Sequence, residues 1–132
     1  MNYFSPQMSG QELNKISMLG LAHIGDGVYE LMIRTMLCAQ GHAAVGDLHR
    51  LTVARAKAPA QAKAAEKLLP LLTEEELALY KRGRNAHVHG VPQGASVGEY
   101  HAATGLEALF GWLYLQGRQE RLNTLFSAAM ED

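Results

Sequence analysis

Asp26 and Glu107 are acidic residues placed where acidic residues are costly. Asp26 interrupts LAHIGDGVYELMIR (residues 21–34), with Leu21, Ala22 and Ile24 before it and Val28, Leu31, Met32 and Ile33 after it. Glu107 interrupts ATGLEALFGWLYL (residues 103–115) in the same way. A carboxylate left unpaired in an apolar helix carries a large desolvation penalty, so a helix that keeps one supplies a cation or a hydrogen-bonded partner. Neither residue has a Lys or Arg three or four positions away, where a helical neighbour would sit. Two such carboxylates on two mostly apolar helices point to a shared divalent metal, and hence to metal-assisted chemistry. Glu30 falls one turn after Asp26, but it stands four residues before Arg34 and is expected to form an intrahelical ion pair. Thr104, one turn before Glu107, is expected to pack rather than to reach a metal-bound water.

The elements that must position this pair read as helices throughout. Leu13, Ile16, Leu19, Leu21, Ile24, Val28, Leu31 and Met32 recur at helical spacing, giving one long helix or two nearly continuous ones ending near Gln40 and Gly41. Gly20, Gly25 and Gly27 weaken that helix by about 1 kcal/mol each relative to Ala. They also clear space around Asp26 for another backbone or a ligand. After a loop near residues 41–46, Asp47 is a good N-cap for the next helix, and Pro59 marks a kink or a new start leading into residues 60–69. Thr73 and Glu76 form a capping box opening a helix that runs through Leu77 and Tyr80 to KRGRN. Residues 86–95, AHVHGVPQGA, form the clearest loop. Ser96 and Glu99 make a second capping box, opening the Glu107 helix to about Gln116, and a last amphipathic helix spans residues 119–130. No alternating strand pattern competes, so the expectation is an all-α fold.

Composition bounds the possibilities. A chain of 132 residues, 48% hydrophobic and 19% charged, fits one globular domain over residues 1–132. The single Cys38 excludes an intrachain disulfide framework, fits a reducing compartment, and reads as a small core filler near a helix end. The first residues lack the basic-then-apolar order of a signal peptide, and acidic and basic residues break every long apolar run, so a cytoplasmic location is expected. A formal charge of −1 gives no general attraction to polyanions, so any such binding must use local clusters or bound metal. Lys81, Arg82 and Arg84, followed by Asn85, are the clearest such cluster. They complement a helix C-terminus and offer phosphate contacts. Arg50, Arg55, Lys57, Lys63 and Lys67 read mainly as a solvated helical face. His87 and His89 lack a completing Cys or carboxylate and make a poor metal site. Tyr29, Trp112 and Tyr114 read as core or interface residues.

The order of these blocks resembles the catalytic domain of the ribonuclease III family. The signature helix of that family has an acidic-x-x-Gly-Asp-x-Val pattern, matched by AHIGDGV (residues 22–28) except at Ala22. Its second acidic segment ends in Glu-Ala-Leu-x-Gly, matched from Glu107 by EALFGWLYL. The short branch without a separate double-stranded-RNA-binding domain, Mini-ribonuclease III, is more similar still. Its blocks appear here in order as IGDGVYE (24–30), DLH (47–49), QA (61–62), KRGRNA (81–86) and TGLEAL (104–109). Of the four metal-site carboxylates of the larger family members, Ala22 and Thr104 replace two, and His101 stands where the short branch has Arg.

The resemblance implies a ribonuclease III-like helical bundle acting as a homodimer, with both centres facing one groove of duplex RNA. It implies Mg²⁺-dependent hydrolysis of RNA phosphodiesters without a covalent intermediate, Mn²⁺ being a possible substitute. Asp26 and Glu107 are the implied metal-binding and catalytic residues, and Lys81, Arg82, Arg84 and Asn85 the implied RNA contacts. The implied substrate is a ribosomal RNA precursor (23S), with a ribosomal protein as a possible aid to substrate presentation. The competing expectation is a non-catalytic RNA-binding or ribosome-assembly module that keeps the fold without cleaving. A third is a dimeric helical interaction protein whose carboxylates are structural.

Overall fold

Capping chemistry sets most of the element boundaries in the computed structural model, which describes residues 1–41, 44–86 and 94–131. Those residues form α1 (Gly10–Leu13), α2 (Met18–Ala39), α3 (Val45–Ala56), α4 (Ala58–Leu68), α5 (Glu74–Arg84), α6 (Val97–Leu115) and α7 (Gln119–Ala129), with a 3₁₀ turn at Leu69–Leu71. The all-α expectation holds among the described residues. The long N-terminal pattern is interrupted: Ser17 is extended, and its Oγ accepts from the Gly20 amide at 3.0 Å, so α2 starts afresh at Met18. Both capping boxes read from the sequence are present, Thr73 with Glu76 and Ser96 with Glu99, and Ser9 with Glu12 adds a third. Asp47 is not an N-cap. Helix α3 begins two residues earlier, with Ala44 as its cap, and Asp47 lies in the first turn bonded to Arg50 at 3.0 Å. At Pro59 the chain makes a new start, with extended Lys57 ending α3 and preceding α4.

Helix α6 is the centre of the molecule. Its residues Ala103, Leu106, Ala108, Leu109, Phe110 and Leu113 are buried on several sides, against α2, α4, α5 and α7. A helix apolar all round is one that neighbours enclose. Its most extensive contact is with α2, at two glycines. A Cβ on Gly25 would overlap the Glu107 carbonyl and lie 2.8 Å from the Gly111 nitrogen. One on Gly111 would overlap the Leu21 carbonyl and lie 3.0 Å from the Gly25 nitrogen. Only residues without a side chain allow the two backbones to meet there. One turn on, Tyr29 packs edge-on against Phe110 and Phe126, with ring centroids 5.2 and 5.8 Å apart. Cys38 is exposed, which corrects its expected place in the core. Leu37 takes the buried position, and the next residue on a helix turns about 100° away from it.

Candidate active site

The Gly25–Gly111 contact fixes the register between α2 and α6, and the register brings the two anomalous carboxylates together. Asp26 follows Gly25 on α2, and Glu107 is the residue whose carbonyl Gly25 touches. Asp26 is exposed and Glu107 half-buried. Burial, the facing negative charge of Asp26 and a hydrogen bond between the two carboxyls push the Glu107 carboxyl up to about 8, with the Gln61 amide pulling the other way. Two carboxyls brought this close crowd negative charge that a cation would offset.

A third side chain reaches this pair. Gln61, on α4 and almost wholly buried, donates through Nε2 to the Ala56 carbonyl at 2.7 Å and to Glu107 Oε2 at 3.3 Å. The same residues border a cavity of about 510 Å³, lined in addition by Lys57, Pro59, Tyr100 and Ala103. Two buried polar atoms have no hydrogen-bond partner among the described residues: Oε1 of Gln61, which lines the cavity, and the Tyr29 hydroxyl. Burial above all raises the Tyr29 hydroxyl to about 12, with Arg55 opposing and the Glu107 charge adding.

The donor set fits a hard divalent cation. Mg²⁺ takes oxygen ligands, retains several waters, and uses only one or two protein carboxylates. Two facing carboxylates with an unpartnered amide oxygen nearby supply the anionic oxygens and an acceptor for a water hydrogen. Among the described residues no group of three or more His, Cys, Asp and Glu comes together to hold a metal. A transition-metal cage therefore has no support there, and His87 and His89 lie outside those residues.

The remaining candidates fall elsewhere. Glu30 pairs with Arg34 at 3.4 Å on the exposed face, as expected. Thr104 is buried and donates to the Tyr100 carbonyl at 3.0 Å, an ordinary packed helical threonine. Lys81, Arg82, Arg84 and Asn85 lie at the C-terminal end of α5, which packs through Gly83 against Ala108 and Gly105 of α6. None of the four lines the carboxylate cavity. Lys81 and Arg82 are exposed, and Arg84 lies over the Tyr80 ring at 5.9 Å while donating to Asn85 Oδ1 at 3.3 Å. Helical rotation separates the cations, and Arg82 faces a groove with Leu13, Asn14, Glu75 and Trp112. Gln61 entered the sequence analysis only as part of the QA block (61–62), with no role of its own; its further signal is a polar side chain in the alanine-rich run AQAKAA.

Comparison with known proteins agrees with this architecture. A model of the ribonuclease III domain matches residues 19–118, which include both carboxylates and the whole α2–α6 contact. The chain belongs to the ribonuclease III family of endoribonucleases. Among its curated relatives, the Mini-ribonuclease 3 of Symbiobacterium thermophilum is 46% identical over 113 residues, covering 86% of this chain and 87% of the relative. That of Enterococcus faecalis is 40% identical over 119 residues, covering 89% and 90%. The crystal structure of a protein from Fusobacterium nucleatum superposes with a TM-score of 0.79 at 30% identity, over 87% of this chain and 92% of that one.

Proposed function

We propose that this protein is a Mg²⁺-dependent endoribonuclease that hydrolyses phosphodiester bonds in double-stranded or structured RNA, acting in the cytoplasm as a homodimer in maturation of a 23S ribosomal RNA precursor. The observation that carries this reading is the facing of Asp26 and Glu107 across the glycine contact of α2 and α6. These two residues hold the ion, and Mn²⁺ can replace Mg²⁺ there. When bound, such an ion lowers the pKa of a water and stabilises negative charge developing at the phosphorus. Asp26, exposed, is open to a duplex arriving from solvent, while Glu107 is anchored on the central helix. Glu107 must release its proton to act as a ligand, so ion binding and proton release are coupled.

Lys81, Arg82, Arg84 and Asn85 serve as RNA contacts, positioning phosphates and 2′-hydroxyls by shape rather than reading sequence. With a net charge of −1, binding depends on this local cluster and on the ion, and weakens steeply with salt. One centre cuts one strand, so cutting a duplex requires two copies. Support for a symmetric pair comes from the apolar surface of Tyr3, Phe4, Ile24, Val28, Leu31 and Tyr114, in which Leu31 is 55% exposed and Phe4 79%.

Purified protein incubated with duplex RNA and Mg²⁺, beside Asp26→Asn, tests the reading. Cleavage by the wild-type chain alone is expected. Cleavage by both removes Asp26 from the chemistry. Cleavage by neither, with salt-sensitive duplex binding retained, favours the non-catalytic RNA-binding module, a reading motivated by Ala22 and Thr104 standing where larger family members carry acids.

A further inference from the structure

We propose that Gln61 is a positioning residue of the metal centre, holding the Glu107 carboxylate in its ligating orientation. The inference deepens the two-carboxylate reading and rests on it. Both Nε2 hydrogens of Gln61 are committed, one to the Ala56 carbonyl at 2.7 Å and one to Glu107 Oε2 at 3.3 Å. Ala56 is the last residue of α3, so the amide is anchored on a helix-terminal carbonyl rather than on another mobile side chain. The opposite amide orientation would turn Oε1 toward that carbonyl and the carboxylate, placing three acceptors together, so the orientation is fixed by chemistry. Gln61 is 2% exposed, and its rotamer is locked where α4 packs on α6. With Oε2 engaged by Gln61, Glu107 has its other oxygen left for an ion shared with Asp26.

The fixed amide also leaves Oε1 buried without a partner, beside the cavity that Gln61 and Glu107 both line. A buried acceptor without a donor is costly. A water held by a cation on Glu107 would supply that donor. Gln61 thus gives a hydrogen bond to Glu107 and would offer an acceptor to such a water. Helix capping alone would require only the bond to Ala56.

Mn²⁺ binding separates the two roles, read from loss of the free-ion electron paramagnetic resonance signal in the full-length chain without RNA. Gln61→Met removes both polar atoms and keeps the bulk, and Gln61→Ala keeps the helix propensity of α4 if Met packs poorly. Circular dichroism checks that each is folded. Removing a residue that orients a metal ligand typically weakens binding about 10- to 100-fold, and that loss is expected in the folded Gln61 variant. Asp26→Asn is expected to lose binding outright. Wild-type Mn²⁺ affinity in a folded Gln61 variant, with Asp26→Asn still impaired, overturns the proposal and leaves the two-carboxylate centre standing. Two Gln61 variants that both unfold assign the residue to folding alone, which also overturns it. If the wild-type chain binds no Mn²⁺, or Asp26→Asn binds it normally, the metal centre falls and the proposal falls with it.

Discussion

At the scale of single residues, glycine and charge decide the site together. Of the three glycines expected to clear space near Asp26, only Gly25 is pressed by another helix. Gly27 has nothing within 4 Å of a would-be Cβ, and Gly20 meets only its own turn, at Ile16 and Ser17. Gly25→Ala would drive a methyl group into the Glu107 backbone, where neither partner can yield without parting α2 from α6. Overpacking of this kind costs about 3 kcal/mol or more, so urea unfolding should show a large fall in midpoint, whereas Gly27→Ala should be neutral or stabilising. The charge has a pH consequence. Glu107 titrates near 8 in the folded chain against 4.5 ordinarily. Between those values the metal-free native state holds a proton that the unfolded state has released, so stability falls as pH rises through this window. Thermal melts of metal-free protein should show that decline. Mg²⁺ should restore stability most at the alkaline end, and Glu107→Gln should flatten the slope. Asp26 and Glu107 were legible because a carboxylate in an apolar helix stands out from its neighbours. Gln61 was visible only as half of the QA block, and its role was not, because that role lies in a partner 46 positions away.

At the scale of elements, local signals were legible wherever local chemistry set the boundary. The capping boxes at Thr73 and Ser96 located α5 and α6, and with them the basic cluster and Glu107. The misplaced start of α3 and the exposed Cys38 are errors of another kind. An Asp in the first turn satisfies the same dipole preference as an Asp cap, and one step of about 100° along α2 carries the side chain from buried Leu37 to exposed Cys38. Another element-level feature had no local signal: Glu76 is fully buried and bound by Arg121 of α7, with contacts of 2.7 and 2.9 Å. The same guanidinium donates to the Leu71 carbonyl at 2.9 Å, tying the 3₁₀ turn, α5 and α7 together. The Arg121 charge holds the Glu76 carboxyl below the usual range. Arg121→Ala strands a buried carboxylate and should cost about 3 kcal/mol. Mn²⁺ affinity of the folded variant should remain that of the wild type, because the pair lies outside the cavity lining.

At the scale of the whole molecule, α6 is a shared spine. It carries Glu107 toward α2 and α4, and packs Gly105 and Ala108 against α5, so the helices that bear Asp26, Gln61 and the basic cluster are all braced on one element. The proposed pairing of two copies would place a second such spine across the apolar face of α2. Leu31→Asp puts a charge in the middle of that face without touching the carboxylate pair. Sedimentation velocity should then show the mutant as a monomer at concentrations where the wild type is dimeric. Duplex cleavage should decline to nicking of single strands, while Mn²⁺ binding persists. A wild-type monomer that cleaves both strands would contradict the pairing.

The strictest test of the metal centre is crystallographic: anomalous difference density from crystals soaked in Mn²⁺. A single strong peak is expected between α2 and α6, with an oxygen of Asp26 and one of Glu107 both about 2.1 Å from it, as hard-cation coordination requires. A peak bound to only one of the two, or to neither, would contradict the shared-ion centre on which the proposed hydrolysis depends.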